Sequence, residues 1–422
     1  MSSALSPRIA IVGAGPGGLL CARMLQLHGI PVMLYDMDAS VDEHDLGGTL
    51  DLHLDTGQIA LEDAGLMGAF NNLARPEGQT KATMDHHATV LSRFVPEVDD
   101  TAALEIDRGQ LRRMIYDSLD PATVRWGHKL THAEPLGNGA HRLHFDHGDT
   151  VEANLVIGAD GTWSRTRPLV SSASPCYTGV SFLDARYDDA DRRHPDIAAI
   201  VGDGHAFIRD GQGNAVIGQR NSSGYVRAYL AMRTPADWYR EAGVSDPNDP
   251  ADEEAVRAHL IKTFASWDAS LLPFLSDVDG GYRNRPIHVL PDHHTWRHTR
   301  GVTLLGDAAH VMAPFGGYGV NLALLDGAEL ATAIAAELAL DTAEPALDTA
   351  EPALDTAIRR YESTMWKRAG ELATGSNAAL QRFFSDVAPA QHTPPDHAAE
   401  HRAYQQKAAA YRANHGHTAE GD

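Results

Sequence analysis

The 422 residues carry 57 acidic and 35 basic side chains, a formal charge of −22, which repels polyanions and argues against nucleic acid or an acidic membrane surface as partners. With 43% apolar residues, the chain can fill the core of one large α/β unit and a second domain. No uncharged apolar run approaches about 20 residues, and MSSALSPRIAIVGAG lacks the pattern of a secretory leader, so a soluble, cytoplasmic, monomeric protein is expected.

The first signal is RIAIVGAGPGGLLCARMLQLHGIPVMLYD, residues 8–36, which predicts a strand, a glycine turn, a helix and a second strand. Gly13, Gly15 and Gly18 stand at GxGxxG spacing, with Pro16 and Gly17 between them. The first glycine permits the tight turn, the second lets a pyrophosphate approach the backbone, and the third allows close helix packing. Asp36, at the end of the second strand, is placed to bind ribose hydroxyls. Cys21 and Cys176 have no metal or redox spacing and read as isolated thiols.

TLDLH, residues 49–53, alternates, so Leu50, Leu52 and Leu54 share one face and Asp51 and His53 the other, which is either solvent or a ligand crevice. Arg108 precedes the helical pattern Leu111, Met114, Ile115 and Leu119. Its guanidinium is either a phosphate contact or a solvated surface group. LVIGADGTWSRTRPLV, residues 155–170, reads as a buried strand ending in Gly158, Asp160 and Gly161. Asp160 either faces the crevice or caps a helix at Ser164.

Residues 215–232, AVIGQRNSSGYVRAYLAM, read as a hairpin in a mostly antiparallel sheet. Gln219, Arg220, Asn221, Tyr225 and Arg227 line either a pocket or a solvated sheet face. A further strand from Gly301 ends in Gly306 and Asp307, and the segment MAPFGGYGVN then supplies bare backbone before a helix near Val320. N–H groups at that helix start would stabilise negative charge on a bound ligand. His310 reads as a packing residue, and neither a catalytic side chain nor a metal site is assigned.

Three of these motifs together, GAGPGG (13–18), GADGTWSR (158–165) and GDAAHVMAPFGGYGVN (306–321), resemble the class A flavoprotein monooxygenases related to p-hydroxybenzoate hydroxylase. GGTLDLHLDTGQIALEDAGL (47–66), EIDRGQLRRMI (105–115) and FASWDASLLPFL (264–275) are similar to the tetracycline-inactivating subfamily. The resemblance implies a Rossmann-like α/β FAD-binding domain with a second, mostly antiparallel substrate domain and a C-terminal helix. It implies cofactor contacts from Gly13, Gly15, Pro16, Gly17, Gly18, Asp36, Asp51, Arg108, Asp160, Asp307, Pro314, Gly317, Gly319, Val320 and Asn321. Gln219, Asn221, Tyr225, Arg227, Pro314, Phe315 and Gly316 would face substrate.

The implied activity is hydroxylation of a polycyclic or aromatic molecule, tetracycline-like or another polyketide, with O2 and NAD(P)H through a flavin C4a-hydroperoxide. An indole or phenolic substrate, or a flavoprotein that binds or isomerises an antibiotic without oxygenating it, stays open. The subfamily's arginine for the nicotinamide cofactor is replaced by His44, which leaves NADPH and NADH both open, and Tyr318 stands between glycines where many relatives have a polar residue.

The resemblance divides the chain into an FAD-binding domain (1–75, 101–175 and 285–340) and a substrate domain (76–100 and 176–284). The repeated ALDTAEP makes 341–357 a linker, because Pro345 and Pro352 break any helix there. A helix over 358–386 and a loosely ordered, histidine-bearing tail over 387–422, with one helix around Glu400–Tyr411, complete the expectation.

Overall fold

Ile9–Val12, apolar at every position and buried on both faces, forms the centre of a parallel sheet in the computed structural model. The structure describes residues 8–43, 47–137, 139–341, 350–391, 393 and 395–415. The sheet's strand order is Val302–Leu304, Leu155–Gly158, Ile9–Val12, Val32–Tyr35 and Val124–Arg125, all in parallel register. The predicted glycine turn leads into the helix Pro16–Leu27, with Gly15 at its N-cap and Pro16 in its first turn.

A second sheet of seven strands runs in the order Arg283–Val289, Cys176–Tyr187, Val226–Arg233, Asn214–Arg220, His205–Arg209, Lys81–Asp85 and Val90–Phe94. Its pairs are antiparallel except for His205–Arg209 with Lys81–Asp85. The expected hairpin is present, with Asn214–Arg220 pairing Val226–Arg233. One face, including Leu183, Tyr187, Val216 and Leu230, packs under the helices Pro195–Val201 and Glu253–Thr263. The other face turns towards a two-stranded ribbon, Thr49–His53 with Ala103–Asp107, and towards the loop before the helix Tyr318–Asp341. This is the expected α/β architecture with a second, mostly antiparallel sheet.

Two expectations at the C-terminal end change. Residues 342–349 of the repeat lie outside the described residues, but a helix spans Ala350–Phe383 and so starts before the expected 358. Pro352 falls in its first turn, where a missing N–H costs no helical hydrogen bond. The helix expected in the tail around 400–411 is longer, His397–His415, and it is docked on the fold in place of lying in loose chain. Its His401 Nδ1 lies 2.6 Å from Asp100 Oδ2, its Tyr404 ring stacks on His53 at 4.3 Å, and its Arg412 pairs with Glu62 at 2.8 Å.

The long helix Ala350–Phe383 is tied to the parallel sheet through a fully buried carboxylate, Glu362. It accepts from Trp296 Nε1 at 3.0 Å, Thr303 Oγ1 at 2.9 Å and His298 Nδ1 at 2.8 Å. Removing that acceptor strands three buried donors. Glu362→Ala is expected to cost roughly 3–5 kcal/mol of unfolding free energy, read as a lower urea midpoint against the parent protein.

Candidate active site

Each glycine of the nucleotide turn meets a different constraint. A methyl group at Gly13 would stand 2.3 Å from the Ala159 carbonyl, and one at Gly18 would stand 2.1 Å from the Gly13 carbonyl. Gly13 and Gly18 therefore close the strand against the helix. At Gly15 the same methyl meets nothing within 4 Å, and the backbone there is extended, with φ −72°. That open approach, above unpaired helix N–H groups, is where a pyrophosphate fits.

Asp36 stands beside the turn. Its carboxylate accepts from the backbone N–H groups of Ala14 and, at 2.9 Å, of Asp38. The sequence reading missed Arg112, one helical turn beyond Arg108 and buried. Its Nε donates to the Ala14 carbonyl at 2.9 Å, Nη1 lies 2.8 Å from Asp38 Oδ2, and Nη2 lies 3.6 Å from Asp36 Oδ1. Arg112 thus fixes the carboxylates of the nucleotide end. Spacing of four residues on one helix face was its only sequence signal.

The two strand-end aspartates separate in role. Asp160 accepts from Ser164 Oγ at 2.5 Å, the N–H groups of Arg165 (2.7 Å) and Thr166 (3.0 Å), and Thr166 Oγ1 (3.1 Å). Its carboxylate is spent on its own turn and not turned to the crevice, and since no helix starts at Ser164 it caps none there. Asp307 differs. Among the described residues its carboxylate accepts one long side-chain hydrogen bond, 3.5 Å from Thr162 Oγ1, and a methyl at Gly319 would stand 3.9 Å from its Oδ1. A carboxylate so little occupied suits polyol hydroxyls.

The glycine loop is held from below by Asn321, which is fully buried. Its Nδ2 donates to the carbonyls of Asp51 (2.7 Å) and Gly317 (2.8 Å), and its Oδ1 accepts from the N–H groups of His53 (2.8 Å) and Gly57 (3.2 Å). With both ends of the amide engaged, Asn321 shapes the loop, and its side chain is not the expected cofactor ligand. Gly317 adopts φ +67°, and a methyl there would stand 2.2 Å from Asp51 Oδ1. His310, deeper down, donates through Nε2 to Asp326 at 2.6 Å, the packing role its position suggested.

Asp51 belongs to a charged cluster on the boundary between ribbon and sheet. Its Oδ2 lies 3.4 Å from His53 Nε2 and 3.8 Å from Lys81 Nζ. Burial would raise its carboxyl, but the His53 hydrogen bond and the His53 and Lys81 charges hold it well below the usual carboxylate range. Glu105, across the ribbon from Asp51, accepts from Thr49 Oγ1 at 2.6 Å and lies 3.7 Å from His205 Nε2. Burial, then the Asp51 charge, pushes the Glu105 carboxyl up to about 8. Burial, then the Lys81 charge, pushes the His205 imidazole down to about 3.

The second sheet meets this boundary at Gly47 and Gly48. A methyl on Gly47 would stand 3.6 Å from Arg227 Nη1, 3.8 Å from Arg108 Nε and 3.9 Å from Tyr229 Oη, and one on Gly48 would stand 2.0 Å from Gln219 Oε1. Gln219 Oε1 is buried without a protein partner. Arg108, Gln219 and Arg227 therefore converge, whereas Asn221 is drawn off to Asp107 (3.1 Å) and Tyr225 stacks under Arg186 (4.1 Å). Arg220 pairs with Asp191 at 3.1 Å on the exposed side. Phe315 joins Phe383 (5.1 Å) and Phe384 (6.2 Å), and Phe182 and Tyr229 of the sheet complete an aromatic cluster, while Pro314 and Gly316 are exposed. His44 lies outside the described residues.

Residues 7–361 match the FAD binding domain family. The chain belongs to that family. It is 29% identical over 372 residues to the monooxygenase asqM of Emericella nidulans, spanning 77% of this chain and 83% of that one. It is 27% identical over 337 residues to the 6-hydroxynicotinate 3-monooxygenase of Pseudomonas fluorescens, spanning 77% and 82%. The fold matches the tetracycline destructase Tet(55) at TM-score 0.68 and 17% identity, over 97% of each chain. This FAD-dependent monooxygenase has the groups to fit its cofactor: the open approach at Gly15 and the little-occupied Asp307.

A Cβ at Gly15 meets no atom within 4 Å, so Gly15→Val is expected to fold normally and purify with little or no FAD; Asp307→Ala is expected to retain FAD poorly. The flavin-to-protein absorbance ratio, beside an unchanged circular dichroism spectrum, checks both. Glu105 supplies a pH dependence. A carboxyl raised from 4.5 to about 8 favours the folded state below pH 4.5, and that contribution fades as pH rises to about 8. Relative to Glu105→Gln at matched flavin content, the parent protein should lose up to about 1.4 kcal/mol of stability per pH unit across that window, measured by denaturant titration.

Proposed function

We propose that this FAD-dependent monooxygenase hydroxylates a polycyclic, oxygen-rich aromatic molecule, tetracycline-like or another aromatic polyketide, using O2 and NAD(P)H. The observation that carries the reading is the meeting of three segments at one place. The glycine loop, the polar trio Arg108, Gln219 and Arg227, and the aromatic cluster around Phe315 all border the same boundary between the two sheets. An aromatic ring packs against Phe315, Phe182 and Tyr229, and its oxygen substituents pair with Gln219 and Arg227.

The protein's share of the work is binding and electrostatics. Bound FAD supplies redox chemistry and oxygen activation. Gly15 and the helix start after it would take the pyrophosphate, Asp36 the adenosine ribose and Asp307 the ribityl hydroxyls. The backbone N–H groups opening the helix Tyr318–Asp341 would stabilise negative charge on the reduced ring. The aromatic cluster excludes water from the reacting face. No side-chain nucleophile is required by this chemistry.

The relatives support the aromatic class by their names, one a 6-hydroxynicotinate 3-monooxygenase and one fold neighbour a tetracycline destructase. The test is to mix the yellow protein with NADPH or NADH and a panel of tetracyclines, other aromatic polyketides, indoles and phenols under 18O2. The expected outcome is substrate-stimulated NAD(P)H oxidation with one labelled oxygen atom in the product of a polyketide. Stimulation only by indoles or phenols would move the substrate class, and neither stimulation nor label across the panel would defeat the reading.

A further inference from the structure

The outer edge of the parallel sheet carries a second cluster that takes no part in the flavin chemistry. After the strand Val124–Arg125 the chain places His128 against Tyr35 and Phe145, with ring centroids at 5.6 and 5.1 Å. The turn after Phe145 then brings His147 and Asp149 alongside. Gly148, at φ +96°, makes that turn possible, and hydrogen bonds from Phe145 N–H to the Asp149 carbonyl and from Gly148 N–H to the Phe145 carbonyl, both 3.0 Å, close it. His128 and His147 meet edge to face at 4.7 Å.

We propose that His128, His147 and Asp149 form a binding site for one divalent transition-metal ion of the zinc class. One ligand atom from each residue lies within 4.8 Å of the other two. His147 Nε2 and Asp149 Oδ2 are 3.3 Å apart, about the edge of a tetrahedron whose metal bonds are roughly 2.0–2.1 Å. His128 Nδ1 donates to the Trp126 carbonyl at 2.8 Å, which leaves the lone pair on Nε2 and holds the ring in the tautomer a metal needs. His147 Nδ1 faces Asp146 Oδ1 at 3.4 Å, an outer carboxylate for the second imidazole. Two imidazoles and a carboxylate suit zinc, and the exposed side of the turn leaves the fourth position to water.

The site also touches the nucleotide end through the backbone. His128 N–H donates to the Asp36 carbonyl and Gly127 N–H to the Asp38 carbonyl, both at 2.7 Å. A metal joining residue 128 to residues 147 and 149 therefore braces the loop that carries Asp36, and its effect is on cofactor retention.

The test uses the full-length, tag-free, FAD-loaded protein, freed of metal by a chelator and titrated with Zn2+ against a chelating zinc indicator. One equivalent of Zn2+ is expected to bind, with affinity at least about tenfold weaker in His147→Ala and in Asp149→Asn and unchanged in His132→Ala, a neighbouring histidine outside the trio. Both altered side chains are exposed, so folding is preserved, and equal metal-free melting temperatures establish it. FAD dissociation should slow on adding Zn2+ to the parent and not to His147→Ala. Absence of a saturable equivalent in the parent, or equal affinity in the parent and both ligand variants, overturns the proposal.

Discussion

Backbone-to-backbone contact between two helices sets the distance from the nucleotide turn to the ring loop. A methyl at Gly17 would stand 2.5 Å from the Ala323 carbonyl, and one at Gly327 would stand 2.6 Å from the Gly17 carbonyl and 3.0 Å from Cys21 N. Both helices carry glycine where the other's main chain passes. The contacts advance together, from Gly17 with Ala323 to Cys21 with Gly327, so the helices run the same way and open on the same side of the parallel sheet. Two positive helix ends, which the proposed function gives one to a pyrophosphate and one to a reduced ring, are thereby held at a fixed separation without a side chain between them. Cys21 is a consequence of this packing: burial pushes its thiol up to about 12, and it is inert filler at the contact.

The rest of the site hangs from that pair. Asn321, in the first turn of the second helix, fastens the ribbon strand Thr49–His53 through two hydrogen bonds to its backbone, at Asp51 and His53, and holds Gly317 and Gly57 through two more, so the ribbon moves with the helix. The ribbon in turn presents Asp51 to Gly317 on one side and to Lys81 of the second sheet on the other. A negative Asp51 beside a neutral, protonated Glu105 and a neutral His205 keeps that buried boundary from carrying uncompensated charge at neutral pH. Electrostatics at the boundary is therefore a packing condition for the two sheets as much as a property of the site.

What the sequence disclosed follows from how local each feature is. The strand, turn and helix of 8–36, the strand ends at Asp160 and Asp307, and the hairpin at 215–232 are written in neighbouring residues, and each stands where it was expected. Side-chain commitments over long separations were not legible. Asp160 and Asn221 are the kinds of residue that line a crevice, yet one binds its own turn and the other binds Asp107, 114 positions away. Arg112 carried no signal beyond its spacing of four from Arg108, and only the fold shows that it faces Asp36 and Asp38. The docking of the tail helix was hidden for the same reason, since its partners, His53, Asp100 and Glu62, lie about 300 residues or more earlier.

The two sides of the glycine loop are built by different means, and that difference governs what each can change. The nucleotide turn is built chiefly of backbone, and at Gly13, Gly17 and Gly18 an added methyl would stand 2.3, 2.5 and 2.1 Å from a main-chain carbonyl. The opposite side is made of side chains from three separated segments, Phe182 and Tyr229 of the sheet, Phe315 of the loop, and Phe383 with Phe384 at the end of the long helix. That helix also grips the loop directly, Ser376 donating to the Ala313 carbonyl at 2.8 Å and Asn377 Oδ1 accepting from Ala313 N–H at 3.0 Å. On the proposed function, replacing an aromatic ring there reshapes the space for a substrate while leaving the glycine geometry in place. Such an arrangement separates ligand choice from cofactor chemistry, because the atoms that decide one are not the atoms that decide the other.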